Sequence, residues 1–173
     1  MLNSSRATPV QAHGLAIAIA CLAVAGTSAA AQPPNPQDLT QGKWELQLDK
    51  SHFCTAPPQK STREIVDSGW GLISTYWTGI DAKGKPMEVR YVWRYDGQKY
   101  PADIGKPANE AITWKLVNPS KVEFTHWSKD NKITQELSRT VSSDAQTMTQ
   151  TTKFVGGRNG KSECVDTQVF ARQ

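Results

Sequence analysis

The sequence predicts an all-β protein: an antiparallel meander of roughly 8–10 strands closed into a barrel, with a β-sandwich as the alternative. Three observations lead there. Runs rich in Val, Ile, Thr, Tyr, Phe and Trp recur along the chain, and these residues favour a pleated, half-buried surface. Turn residues separate the runs at close intervals. Within the runs apolar and polar residues alternate with period two, and no helix-length segment with helical periodicity lies between them.

The chain opens on a segment with one cation, Arg6, and no acid, followed by an apolar run of 11 residues from Leu15 to Ala25 and the small-residue stretch Gly26 to Ala31. That is the pattern of a cleaved secretory signal over 1–31. The run is well short of the roughly 20 residues that cross a bilayer as a helix, so no transmembrane segment is expected in the mature chain. Ala29 and Ala31 supply the small side chains of a cleavage site, which puts the mature N-terminus at Gln32 and the protein in the periplasm or the medium. A lipid-anchored alternative would use Cys21, inside the apolar run.

Removing 31 residues from 173 leaves 142, the length of one domain. Of 20 basic residues only Arg6 falls in the leader, and all 16 acids remain, so the formal charge drops from +4 to +3. The excess is dispersed, which argues for solubility and against nucleic acid as a partner.

Residues 32–41, with Pro33, Pro34 and Pro36, predict an extended arm. The domain proper is 42–173. Strands are expected over Lys43 to Asp49, Thr62 to Asp67, Gly71 to Thr78, Met87 to Tyr95, Ala111 to Val117, Lys121 to Ser128, Ile133 to Val141, Thr147 to Val155 and Glu163 to Ala171. Alternation is clearest where Val89, Tyr91, Trp93 and Tyr95 interleave with Glu88, Arg90 and Arg94. Tight connections make successive strands antiparallel neighbours, and closing the sheet removes its exposed edges.

The mature chain keeps two cysteines, Cys54 and Cys164. In an oxidising compartment they most simply form one disulfide, with two buried thiols as the alternative. No C-x-x-C spacing is present, and His52 beside Cys54 offers metal ligands only if that disulfide does not form, so no metal or cofactor is expected.

Gly42-Lys43-Trp44-Glu45-Leu46 resembles the G-x-W signature that opens the lipocalins and their wider calycin relatives. The resemblance implies that Trp44 closes the barrel floor beneath a basic side chain from the last strand, for which Arg172 is the candidate. A register argument stands beside it. If the last strand pairs antiparallel with the first, opposite positions have a constant sum. Trp44 with Arg172 gives 216 and Cys54 with Cys164 gives 218, an offset that a bulge absorbs. The same register sets Leu46 near Phe170 and Leu48 near Gln168.

Catalysis has little to work with. His52 and His126 are the histidines of the mature chain, and neither a Gly-x-Ser-x-Gly elbow nor a phosphate-cradling glycine loop occurs. All six tryptophans are mature residues, and Trp carries an N–H that needs a partner when buried. The rings either fill the core or line a cavity. In the second case Tyr91, Trp93, Tyr95 and Trp114, with Tyr76 or Trp77 at the edge, are the ligand contacts. His126 is either a structural histidine or a further contact. Arg90 and Arg94 are outward in this register; an inverted one would turn them inward as carboxylate-binding cations. The expected function is non-enzymatic: an exported binding protein for a small hydrophobic or amphipathic molecule. The alternative is a periplasmic inhibitor of an envelope enzyme, a protease or a cell-wall lytic enzyme, acting through its loops or arm.

Overall fold

The computed structural model describes residues 38–103, 110–158 and 160–173. The expected leader and most of the arm lie outside the described residues. Ten strands follow in order: β1 (Gly42–His52), β2 (Lys60–Asp67), β3 (Ile73–Ile80), β4 (Pro86–Trp93), β5 (Tyr100–Pro101), β6 (Ala111–Asn118), β7 (Lys121–Trp127), β8 (Ile133–Val141), β9 (Thr147–Phe154) and β10 (Val165–Arg172). Nine correspond to the runs read from the sequence. The tenth, β5, has two residues and contains Pro101, which has no N–H to donate, so it leaves no periodic signal.

All ten form one antiparallel sheet in the order β4-β3-β2-β1-β10-β9-β8-β7-β6-β5. First and last strands therefore pair in the middle of the sheet. Curvature brings the edges β4 and β5 side by side, where Arg90 N–H reaches Asp103 Oδ1 at 3.5 Å. The result is a near-closed barrel rather than a sandwich. Among the described residues, no helix is long and apolar enough to cross a membrane.

One end is a sealed floor. Trp44 faces Arg172 across β1 and β10, and Leu46 faces Phe170. Trp44 is fully buried, and its Nε1–H donates to Thr40 O at 2.8 Å. The Arg172 guanidinium lies 4.2 Å from the Trp44 ring centroid and donates to the carbonyls of Ala145, Gln41 and Leu39 at 2.6, 2.9 and 2.8 Å. A planar cation suits this place because its face stacks while its edge donates. Gly42 has φ of 130°, and a Cβ there would collide with Arg172 Nη1, which is why the residue two before the tryptophan is glycine. The arm enters the floor as a turn: Asp38 Oδ1 accepts Thr40 N–H at 2.9 Å and Thr40 Oγ–H at 2.7 Å.

Part of the expected register fails. After Gln47, paired with Val169, the next partners are His52 and Thr167, so β1 advances five positions while β10 advances two. Ser51 fills this bulge, its hydroxyl donating to Gln47 O at 2.6 Å and accepting Val169 N–H at 3.0 Å. Leu48 falls inside it and is 42% exposed rather than set near Gln168. Beyond the bulge Cys54 and Cys164 form a disulfide, with Cα atoms 5.5 Å apart.

Candidate functional site

The interior divides into a packed part and a cavity, and the division follows side-chain size. On the packed side Trp93 stacks on Trp114 and Trp114 on Phe124, with centroids 4.0 Å apart at each step and interplanar angles of 14° and 16°. Ile112, Val122 and Val141 complete this core. Rings in offset contact satisfy one another and leave no space between them. Tyr95 closes the lower edge, its OH donating to Asp38 Oδ2 at 2.6 Å. Burial pushes that phenol above its usual range and the Asp38 carboxylate adds to the shift. His126 lies beside Glu110, Nδ1 to Oε2 3.6 Å; burial lowers its pKa and Glu110 opposes the change.

Across the barrel, inward positions of β2, β8, β9 and β10 carry smaller or polar residues such as Ser61, Thr152 and Gln168, and a cavity of about 660 Å³ opens there. Phe53, Trp77, Met87, Leu137 and Phe154 give it apolar walls; Arg63, Gln150, Thr152 and Gln168 give it polar ones. Asp81, Lys83 and Arg158 lie in the connections after β3 and β9, at the end away from Trp44. That rim is braced. Asp166 Oδ1 accepts the N–H groups of Cys54 and Thr55 at 2.8 and 3.1 Å, and its Oδ2 accepts Thr55 Oγ–H at 2.5 Å. With the disulfide, these bonds fix the chain leaving β1 against β10. Cys54, Cys164 and Asp166 lie close enough to share a metal ion, but the sulfurs are joined and the carboxylate accepts three protein hydrogen bonds.

The cavity is not lined by Tyr91, Trp93, Tyr95, Trp114 or His126. Trp93 and Trp114 turn inward as the alternation requires, but they fill their side of the barrel by stacking on each other. Of the two edge candidates, Trp77 lines the cavity and Tyr76 is exposed. Arg90 faces outward, 2.6 Å from Glu88 with both side chains exposed, and Arg94 is exposed as well, so the inverted register is not adopted.

The inward cations are instead Arg63 and Arg139, each 3% exposed. Arg63 Nη1 donates to Gln150 Oε1 and Nη2 to Gln168 Oε1, the latter at 2.9 Å. Arg139 Nε donates to the same Gln150 oxygen at 2.9 Å. Rings lie against both guanidiniums: Arg63 is 4.8 Å from the Trp77 centroid and 4.7 Å from Phe170, and Arg139 is 5.1 Å from Trp114 and 4.9 Å from Phe124. Burial, reinforced by Arg139 next to it, pulls the pKa of Arg63 down to about 9, and burial takes Arg139 to about 10. Burial raises the Tyr91 phenol while both cations pull it back, so Tyr91 stands within their electrostatic range. Neither arginine is among the candidate site residues read from the sequence. Their signal was parity, since Arg63 shares its strand face with Ser61 and Ile65, and Arg139 with Leu137 and Val141.

A near-closed ten-stranded antiparallel barrel with a sealed floor and a side cavity belongs to the lipocalin and calycin class of folds. Neither a protein-family profile nor a curated protein matches the chain. Among solved structures it is similar to fatty-acid-binding protein 1 of Echinococcus granulosus, at 13% identity and a TM-score of 0.53, covering 78% of this chain and 97% of that one. Lobster apocrustacyanin A1 is a looser likeness, with 13% identity, a TM-score of 0.40, and coverage of 78% and 61%. At such identities the likeness is one of fold.

Proposed function

We propose that the protein is an exported binding protein that holds a small amphipathic molecule in the cavity between Trp77 and Phe154. The observation that carries this reading is the cavity itself, about 660 Å³ with apolar walls and a few convergent polar groups, which is the usual make-up of a small-molecule site. The Leu15 to Ala25 run and the Ala29 and Ala31 pattern support export. The contacts are Phe53, Trp77, Met87, Leu137 and Phe154 rather than the stacked rings. An inhibitor acting through its arm is less well supported, because the arm's described end is tied down by Tyr95 and by Leu39 N–H donating to Pro119 O at 2.8 Å.

Tryptophan fluorescence titrated with small amphiphiles tests the binding reading, since Trp77 stands in the cavity wall. Saturable quenching that Trp77→Phe abolishes is the expected result. No response to any amphiphile, by fluorescence or calorimetry, would overturn it. N-terminal sequencing of protein recovered outside the cytoplasm is expected to begin at Gln32.

A further inference from the structure

The barrel interior holds two buried guanidiniums with no carboxylate at ion-pair distance from either among the described residues; of the buried acids, Asp38 is within electrostatic range of Arg139 alone, and Asp166, at the cavity rim, is spent on Cys54 and Thr55. All 16 aspartates and glutamates lie among the described residues, and among those residues neither Arg63 nor Arg139 forms an ion pair. Their hydrogen-bond partners are neutral carboxamides, and one oxygen, Gln150 Oε1, accepts from both. Gln150 has little more to offer, because its Nε2 is engaged with Thr152 Oγ1 at 3.2 Å. Arg63 Nε is buried without a hydrogen-bond partner. Taking a cation out of water costs several kcal/mol unless an opposite charge compensates it, and a guanidinium only donates. The arrangement therefore lacks an acceptor that carries negative charge.

The two cations differ in access. Arg139 lies over the Trp114 and Phe124 rings, is within electrostatic range of the Asp38 carboxylate, and does not line the cavity. Arg63 does line it, and the charges that act on it are chiefly Arg139 and the Tyr91 phenol. One guanidinium edge, flanked by two carboxamides, matches a planar group of single negative charge. The apolar side chains Phe53, Met87 and Phe154 continue the cavity away from it.

We infer that the Arg63 guanidinium is an anion site at the inner end of the cavity and takes the carboxylate of an amphipathic acid, whose apolar part extends past Phe53 and Met87. This rests on the binding reading above and narrows it. The acid enters head first, and the charge the fold leaves unmatched is matched by the ligand. Arg139 reinforces the potential from behind without touching the ligand.

The test compares decanoate with decanol, equal in chain length and different in charge, by calorimetry on the mature protein at pH 7 below micelle-forming concentrations. Decanoate is expected to bind at least about tenfold more tightly, the size of a charge-assisted hydrogen bond over a neutral one. In Arg63→Gln that ratio is expected to collapse toward one. Equal affinity for the two in the wild-type protein overturns the anion site and leaves the binding reading standing, and this arm needs no variant to fold. Preference for decanoate retained in a folded Arg63→Gln overturns the assignment to Arg63. Failure of both probes to bind counts against the binding reading itself.

Discussion

The floor and the cavity are built from the same ten strands and solve opposite problems. At the floor every strong polar group meets its partner: Arg172 donates to three carbonyls and stacks on Trp44, whose own N–H is bonded. In the cavity Arg63 is more deeply buried than the half-buried Arg172, yet has only amide oxygens beside it and one N–H without a partner. Both sites are an arginine beside aromatic rings, so composition does not separate them. The state of their hydrogen bonds does. A satisfied cation holds the chain together, whereas an unsatisfied buried one costs stability and leaves donors for an outside acceptor.

The sharpest way to break the contrast is to remove the floor. Trp44→Ala is expected to cost about 3–5 kcal/mol, as for other large-to-small core changes, measured by urea denaturation; a loss under about 1 kcal/mol would mean the floor is not the anchor. Next in size is the brace at the rim. Replacing Cys54 and Cys164 by serine opens a link between residues 110 apart in sequence, and about 2–5 kcal/mol should be lost, the chain-entropy figure being the upper end. Because that brace holds the rim, amphiphile affinity should fall too, which Trp44→Ala in its folded fraction should show less strongly.

Arg63 and Arg172 are expected to respond in opposite directions. Arg172→Met leaves three carbonyls without their donor and should destabilise by about 2–4 kcal/mol. Arg63→Met removes an uncompensated buried charge and should leave the ligand-free domain as stable as the wild type or more so. A matching loss in both would erase the distinction between the two sites.

The smallest effect is one of pH. Burial holds the pKa of Arg63 at about 9, well below the ordinary arginine range, so above about pH 9 unfolding takes up a proton and stability rises with pH. The cost of the buried charge is thus fully present below about pH 9 and is relieved above it. Arg139 and Tyr91 face Arg63: burial takes Arg139 to about 10, and burial raises the Tyr91 phenol while the two cations lower it. The expected observation is a stability gap between Arg63→Met and the wild type that narrows from pH 8 to pH 10 in thermal melts. A gap constant over that range would show that the charge is compensated by something else.

Much of the fold could be read from the chain because period two survives in nearly every strand. Trp44 opposite Arg172 followed from the resemblance of Gly42-Lys43-Trp44 to the G-x-W signature, and antiparallel register carried it on to the pairing of Leu46 with Phe170. What could not be read was which inward residues touch each other. Tyr91, Trp93 and Trp114 have the parity of lining residues, yet whether two rings frame a space or stack depends on where β4 and β6 meet across the barrel, and no local pattern encodes that. Arg63 and Arg139 were masked by a different habit: a charge inside a strand is normally read as its solvent face. Here their apolar neighbours at two-residue spacing, Ile65 and Val141, outweigh that expectation.

The bulge at Ser51 has a further consequence, for how the chain tolerates insertion and deletion. A single hydroxyl bridging Gln47 and Val169 uncouples the reading frame of the β1–β10 seam below it from the frame above. Losing or gaining one residue among Leu48, Asp49 and Lys50 alters slack that is already unpaired, so Trp44 keeps Arg172 and Cys54 keeps Cys164. One residue lost between Trp44 and Gln47 has no such slack to draw on, and it would slide the floor tryptophan out from under its arginine. The rim and the floor can therefore change length independently, and the cavity can be reshaped at one end without retuning the other.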